Sequence, residues 1–167
     1  LWFFLIENFD NDIEKVSSRV KAETESIRIY LKIFNKIINE TNFTISLRPH
    51  PNENIKTYEL LISKYGKRVE LNFDNDVSEW LIKCDKIVGL SSSSFIDAYI
   101  TNTPVICIDK IIKIQDDTSV FDPFLKYMYL YSYNPENLED LHKLLNNKKL
   151  KPTLNNNFVK IVNNNLI

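Results

Sequence analysis

Residues 86–109 read KIVGLSSSSFIDAYITNTPVICID, and this stretch decides the fold. It contains two short apolar runs, at 86–90 and 104–108, which have the length and the β-branched content of buried strands. Four serines follow the first run and lead into a helix predicted over about residues 95–101. A strand, a helix and a second strand in this order are typical of a parallel sheet covered by helices.

The same alternation of strands and helices continues toward the N-terminus. We predict three further strands, at 1–6, 43–47 and 69–71. We also predict three further helices, which run over about 19–40, over about 54–65, and onward from an N-cap at Asp76. The chain is therefore expected to have an α/β fold, with helices on both faces of a parallel sheet.

The pattern weakens toward the C-terminus. We expect 110–133 to be irregular or partly helical. A last helix is then predicted to begin with Asn134 as its cap and Pro135 in its first turn. Residues 1–150 are expected to form one domain, and 151–167 a tail that either packs as a helix or is disordered.

Two of the predicted helices are amphipathic. In the helix over about 19–40, the apolar face carries Ile27, Leu31, Phe34 and Ile38. In the helix over about 54–65, the predicted inner face carries Ile55, Tyr58, Leu61 and Ile62. Gly66 is well placed to end this second helix.

Composition excludes several classes of protein. The chain has 167 residues and a net charge of -1, so it lacks the basic excess typical of nucleic-acid binders. Its two cysteines and two histidines predict neither a disulfide scaffold nor a zinc site. Its two glycines rule out a Walker loop and a dinucleotide-binding glycine fingerprint. No apolar run approaches the roughly 20 residues of a membrane span, and because the chain does not begin with Met we expect a fragment.

A first candidate site follows the predicted strand at 43–47, where the sequence reads RPHPNE from Arg48 to Glu53. Two prolines restrict the backbone around His50 and hold its imidazole at the strand end. This imidazole can donate to a phosphate oxygen or protonate a leaving group, and Arg48 offers a bidentate fork to the same anion. Glu53 can orient His50, contact a sugar, or only stabilise the first turn of the next helix. The alternative for the whole segment is a rigid surface loop.

A second candidate site is the serine run, which comes directly after a strand and opens a helix. Hydroxyl and unpaired N–H groups at a helix start bind anions, so the candidate phosphate ligands are Ser91, Ser92, Ser93 and Ser94. A plain N-cap is the alternative. Asp97, one turn into the helix, can meet a hydroxyl-bearing ligand or only interact with the helix N-terminus. Both candidate sites fall beyond the carboxyl ends of strands, where open α/β sheets bind ligands.

The order of these motifs resembles the C-terminal, nucleotide-binding half of GT-B glycosyltransferases that make bacterial surface polysaccharides. The most similar groups are surface carbohydrate biosynthesis proteins, CDP-glycerol glycerophosphotransferases, capsular Kdo transferases and bacterial sialyltransferases. These groups share a His-Pro motif after one strand and a Ser-Ser motif after a later one. The matching pairs in this chain are His50-Pro51 and Ser92-Ser93, and the resemblance covers about residues 1–109.

The resemblance implies a Rossmann-like sheet that binds a nucleotide-sugar donor. A CMP-, CDP- or UDP-linked sugar would move to a surface polysaccharide or lipid-linked acceptor, with His50 as the catalytic residue. The implied ligands of the nucleotide and its phosphate are Arg48, Pro51, Glu53, Asp97 and the serines at 91–94. The resemblance implies no metal, no other cofactor and no nucleic-acid partner. The expected location is the cytoplasm, or the inner face of the membrane if the full-length protein associates with it peripherally.

Two other functions remain open beside transfer. In GT-B enzymes an N-terminal acceptor domain usually supplies the catalytic base, so we expect this chain to be inactive without such a domain. One alternative is a non-hydrolysing nucleotide-sugar epimerase, which shares the architecture but typically carries a glycine-rich phosphate turn that this sequence lacks. The other alternative is a non-catalytic module that binds a nucleotide or a partner.

Overall fold

The computed structural model describes residues 13–49, 55–73, 76–90, 92–112 and 131–153, in which helices and short strands alternate. The helices are α1 (Ile13–Glu40), α2 (Ile55–Tyr65), α3 (Val77–Ile82), α4 (Ser94–Ile100), α5 (Asp109–Ile112) and α6 (Leu138–Asn146). The strands are β1 (Ile45–Leu47), β2 (Val69–Leu71), β3 (Ile87–Gly89) and β4 (Val105–Cys107). The predicted strand at 1–6 lies outside the described residues, as does the predicted tail beyond residue 153.

The described strands form two parallel pairs, β1 with β2 and β3 with β4. Tyr133 extends the second pair as a parallel bridge to Ile106. Its N–H donates to the carbonyl of Val105 (2.9 Å), and its own carbonyl accepts from the N–H of Cys107 (2.8 Å). The prediction of parallel strands connected by helices is therefore confirmed for these pairs, which make the molecule a mixed α and β protein with small parallel sheets.

Strand β4 is buried on both faces. Val105 and Cys107 pack against α3 and α4, whereas Ile106 and Ile108 pack against α1 and α6. All four side chains are 0% exposed. Because successive side chains of a strand point to opposite faces, the β3–β4 pair is covered by helices on both sides. The uninterrupted apolar run that predicted a buried strand reflects this double coverage.

Helix α1 buries a face that only partly matches the predicted one, because Phe34 is buried as expected whereas Ile27 is exposed. Ile33 and Ile37 pack against β4, and Phe34 stacks on Tyr65 of α2 with ring centroids 6.2 Å apart. Ile27 is 62% exposed, so its predicted place on the buried face is wrong. Among the described side chains of α1, those that pack in this core cluster are Ile29, Tyr30, Ile33 and Ile37.

Helix α2 ends as predicted, and it is described from Ile55, one residue after the predicted start. Gly66 has a φ of 62°, a left-handed conformation that glycine adopts without steric cost, and it follows the last residue of α2. A short 3₁₀ turn, Gly66–Arg68, then leads into β2. Ile55 is 45% exposed, so its predicted position on the inner face is wrong. It is the first residue of the helix and lies beyond the reach of the core.

Two helix starts test the predictions from capping residues. Asp76 caps α3 as predicted, because its Oδ1 accepts from the N–H groups of Ser78 (2.7 Å) and Glu79 (3.3 Å). The predicted cap of the last helix at Asn134 is wrong. Asn137 caps α6 instead, and Pro135 precedes the helix rather than occupying its first turn. Of the region 110–133, the structure describes the end of α5 and residues 131–133.

Candidate functional site

Part of the candidate site is described. Arg48 directly follows β1, and residues 92–94 and Asp97 lie between β3 and the middle of α4. Four further candidates, His50, Pro51, Glu53 and Ser91, lie outside the described residues, so their arrangement stays a prediction. The described part of the site consists of the side chains around Arg48 and Asp97.

The guanidinium of Arg48 is held in place at the carboxyl end of the first strand pair. Its Nη1 donates to Oδ1 of Asn72 (3.1 Å), the residue that follows β2. Its Cζ lies 5.8 Å from the ring centroid of Trp80, within the range of a cation–π contact. The N–H of Asn72 donates to the carbonyl of Leu47 (2.8 Å) and fixes the ends of the two strands beside each other.

Trp80 links strand β1 with the core cluster beneath α4. Its Nε1 donates to Oγ of Ser46 on β1 (2.9 Å), and its ring packs on the cluster formed by α3, α4 and β4. A half-buried indole with its N–H satisfied is a rigid surface. The guanidinium of Arg48 thus contacts a ring that is held in place by its hydrogen bond to Ser46 and by its packing against the core cluster.

Asp97 lies close enough to this guanidinium to be influenced by its charge. Burial raises the pKa of the Asp97 carboxyl, and the negative charge of Asp76 raises it further. The backbone N–H of Asp97 and the positive charge of Arg48 lower the same pKa and offset part of that increase. The charged groups from the end of β1, from the cap of α3 and from the first turn of α4 therefore lie in one region.

We call this group the Arg48 cluster, and its members are Arg48, Asn72, Asp76, Trp80 and Asp97. It combines a fixed guanidinium with two carboxylates, so it can bind a ligand that carries both an anionic group and hydroxyl groups. Among the described residues, no group of three or more His, Cys, Asp or Glu side chains could hold a metal ion.

The serines make local hydrogen bonds at the start of α4. Oγ of Ser92 accepts from the N–H of Ser94 (3.2 Å) and lies 2.9 Å from Oγ of Ser94. The carbonyl of Ser92 accepts from the N–H of Phe95 (3.0 Å). Ser93 occupies the N-cap position, makes no side-chain capping bond and is exposed. Ser92 thus makes a local hydrogen bond to the first residue of α4, and both the capping role and the phosphate-binding role of the serine run stay predictions.

Sequence reasoning missed two members of the cluster. Asn72 follows β2 directly, and the argument from strand ends that selected Arg48 applies to it equally. No sequence signal connects Trp80 of α3 with residues more than thirty positions away. Asp76 was predicted as a cap, which it is, and its effect on Asp97 emerges only from the fold.

Other polar residues have structural roles. His142, predicted to be a surface residue, is half-buried, and its Nδ1 lies 3.2 Å from Oε2 of Glu40. Asp109 is the first residue of α5. Burial, with smaller contributions from Asp85 and Glu70, raises the pKa of the Cys84 thiol. An unreactive thiol is therefore expected at Cys84.

Two surface depressions lie away from the Arg48 cluster. One, of about 370 Å³, is lined by Tyr133, Pro135 and Leu144 among others, and the second, of about 300 Å³, lies around Glu40 and Asn146. Both are open and shallow.

Comparison with known proteins does not identify the chain: no family model, no curated protein and no solved structure matches it. In the described ranges, no helix is both long enough and apolar enough to cross a membrane. The functional argument therefore depends on the residues themselves and on how the fold arranges them.

Proposed function

We propose that the chain is the donor-binding half of a GT-B-type glycosyltransferase, which moves a sugar from a nucleotide-sugar to a surface polysaccharide. Support comes from parallel strand pairs joined by helices, with polar side chains beyond their carboxyl ends. The observation that carries the proposal is the position of Trp80, which contacts Arg48 after β1 and packs in the same cluster as Phe95 of α4. It joins the segment after β1 to the segment after β3, and these two segments hold the motifs that resemble the family.

In this proposal the donor phosphate binds at Arg48. A guanidinium fixed by Asn72 and stacked on Trp80 loses little side-chain freedom on binding, so more of the charge-assisted hydrogen-bond energy remains as affinity. His50, two residues further along, donates to the same phosphate. The serines at 92–94 bind it from the start of α4, and Asp97 accepts hydrogen bonds from hydroxyl groups of the donor.

The proposed reaction breaks the bond between the anomeric carbon and the donor phosphate oxygen. The electron pair of that bond remains on the phosphate, and Arg48 and His50 stabilise the negative charge that develops there. A hydroxyl oxygen of the acceptor forms the new bond to the anomeric carbon and gives up its proton to a base. In a GT-B enzyme that base belongs to the acceptor-binding half, so this chain supplies the donor site and the stabilisation of the leaving group.

Calorimetric titration of the chain with CMP, CDP, UDP and GDP tests the donor site. We expect one nucleotide to bind most tightly and Arg48→Ala to weaken it at least tenfold, because a bidentate contact with a charged phosphate is lost. Arg28→Ala is the matched control, since Arg28 is exposed on α1 and pairs only locally with Glu25. Failure of every nucleotide to bind would remove the donor-site proposal.

A second experiment separates transfer from the two alternatives. In an enzyme that carries both halves, His50→Ala is expected to abolish sugar transfer while the circular dichroism spectrum is unchanged. An epimerase would convert the donor in the absence of an acceptor, and a binding module would show nucleotide affinity without product. Turnover retained in His50→Ala would exclude His50 from the mechanism.

A further inference from the structure

Phe73 is an exposed aromatic residue beside the Arg48 cluster. Its side chain is 58% exposed. Among the large apolar side chains that the described ranges leave exposed, six are Ile or Leu and Phe73 is the one aromatic residue. Those six lie on helices, whereas Phe73 follows the carboxyl end of β2.

The position of Phe73 relative to Arg48 is set by hydrogen bonds to the residue before it. Asn72 accepts from Nη1 of Arg48 and donates its N–H to the carbonyl of Leu47. Phe73 is the next residue, with its Cα about 3.8 Å from that of Asn72. The backbone therefore places Phe73 at the same end of the β1–β2 pair as the fixed guanidinium.

This pairing fits a ligand that is anionic at one end and planar and apolar at the other. A nucleotide has this chemistry, because its phosphates accept from a guanidinium and its base stacks on an aromatic ring. The other aromatic side chain of the region, Trp80, is half-buried and already occupied by Arg48 and Ser46. Phe73 is thus the exposed ring at this edge on which a base can stack.

We propose that Phe73 is the base-stacking residue of the nucleotide site, with Arg48 as the phosphate ligand; this inference rests on the proposed donor-binding function. Stacking needs only the face of the ring of the base, so it contributes affinity with little discrimination among bases. Phe73 therefore strengthens the binding of any nucleotide that the site accepts. The choice among cytosine, uracil and guanine depends on hydrogen bonds made elsewhere.

The test compares UDP and CDP with inorganic pyrophosphate, which has phosphates and no base, by calorimetry on the whole chain. Phe73→Ala is expected to weaken both nucleotides about tenfold, the lower part of the range measured for stacked bases, and to leave pyrophosphate unchanged. Phe73→Tyr keeps the ring and is expected to bind like the unaltered protein. Arg48→Ala is expected to weaken pyrophosphate and nucleotides alike.

Leu60→Ala is the matched control, because Leu60 is a 72% exposed apolar side chain on α2. It is expected to change neither ligand. Nucleotide affinity that is unaltered in Phe73→Ala, or weakened equally in Leu60→Ala, overturns the stacking role and leaves the donor site in place. If the unaltered protein binds neither nucleotides nor pyrophosphate, the donor site itself is refuted and the stacking role with it.

Discussion

Arg68 holds the end of α1 and the loop that leads into β1, so its removal should cost more stability than that of any exposed arginine. Its guanidinium donates to three backbone carbonyls: Phe43 from Nε (2.9 Å) and Nη2 (2.6 Å), Thr41 from Nη2 (2.8 Å) and Ile38 from Nη1 (3.3 Å). The carbonyl of Ile38 belongs to the last turn of α1, where carbonyls have no partner within the helix.

The size of the effect follows from these contacts. A hydrogen bond to a charged group contributes about 1.5–3 kcal/mol, but the site is only half-buried and water can replace part of what is lost. Counting mainly the short bonds to Phe43 and Thr41, we expect Arg68→Met to lower the free energy of unfolding by about 2–3 kcal/mol. With a urea m value of about 2 kcal/mol/M, the midpoint falls by about 1–1.5 M.

Urea unfolding followed by far-UV circular dichroism measures this change. Arg68→Lys keeps the charge but not the planar fork that reaches three carbonyls, so its loss should be about half as large. Arg28→Met is the control, because Arg28 contacts only Glu25 on the exposed surface of α1, and its midpoint should not move. Equal midpoints for Arg68→Met and Arg28→Met would refute the structural role given to Arg68.

Two further predictions concern the charged and capping side chains. Because the pKa of Asp97 is raised in the folded protein, ionisation of this carboxyl costs stability as the pH rises from its ordinary value of 3.8 through the raised pKa. Asp97→Asn should therefore raise the urea midpoint at pH 7 but not at a pH below 3.8, and a lower midpoint at pH 7 would contradict this. Asn137→Ala should cost about 1 kcal/mol and reduce the hydrogen-exchange protection of the Glu139 and Asp140 amides, which the Asn137 side chain caps. Asn134→Ala should leave these two amides protected, because Asn134 bonds with Ser132 rather than with the helix.

The strands could be predicted because their signal is local. At 104–108 the apolar run is uninterrupted, and the structure buries both faces of β4. The capping role of Asp76 also has a local signal, because it depends only on the N–H groups two and three residues ahead. Such features require no knowledge of distant parts of the chain, and their predictions were confirmed.

The buried face of α1 could not be predicted in the same way. Apolar residues occur at 27, 29, 31, 33, 34, 37 and 38, and more than one helical stripe can be drawn through them. The choice is made by β4 and α6, which contact Ile33 and Ile37, and by Tyr65, which stacks on Phe34. Tertiary packing of this kind overrides a periodicity read from one segment.

Asn134 and Asn137 show a similar limit for capping signals. Both are asparagines near the start of the last helix, and Pro135 beside Asn134 made the first position look favourable. The structure places Tyr133 in a bridge to β4 and bonds the side chain of Asn134 back to Ser132. Residue 134 therefore directly follows a residue that is bonded to β4. Helix α6 begins three residues later, with Asn137 as its N-cap.

The candidate site has some features that a local sequence signal predicts and others that depend on tertiary packing. That polar residues follow the carboxyl ends of β1 and β3 could be predicted from the sequence, although the described strands belong to two separate pairs. What fixes Arg48 there is nonlocal: an amide from the end of β2 and an indole from α3 hold one guanidinium, and a carboxylate at the cap of α3 influences Asp97 on α4. None of these partners carries a motif, so only the fold identifies them. If Asn72 positions the guanidinium of Arg48, Asn72→Leu should weaken phosphate binding without removing any group that touches the ligand. Unchanged phosphate binding in Asn72→Leu would show that the hydrogen bond from Arg48 to Asn72 does not position the guanidinium for the ligand.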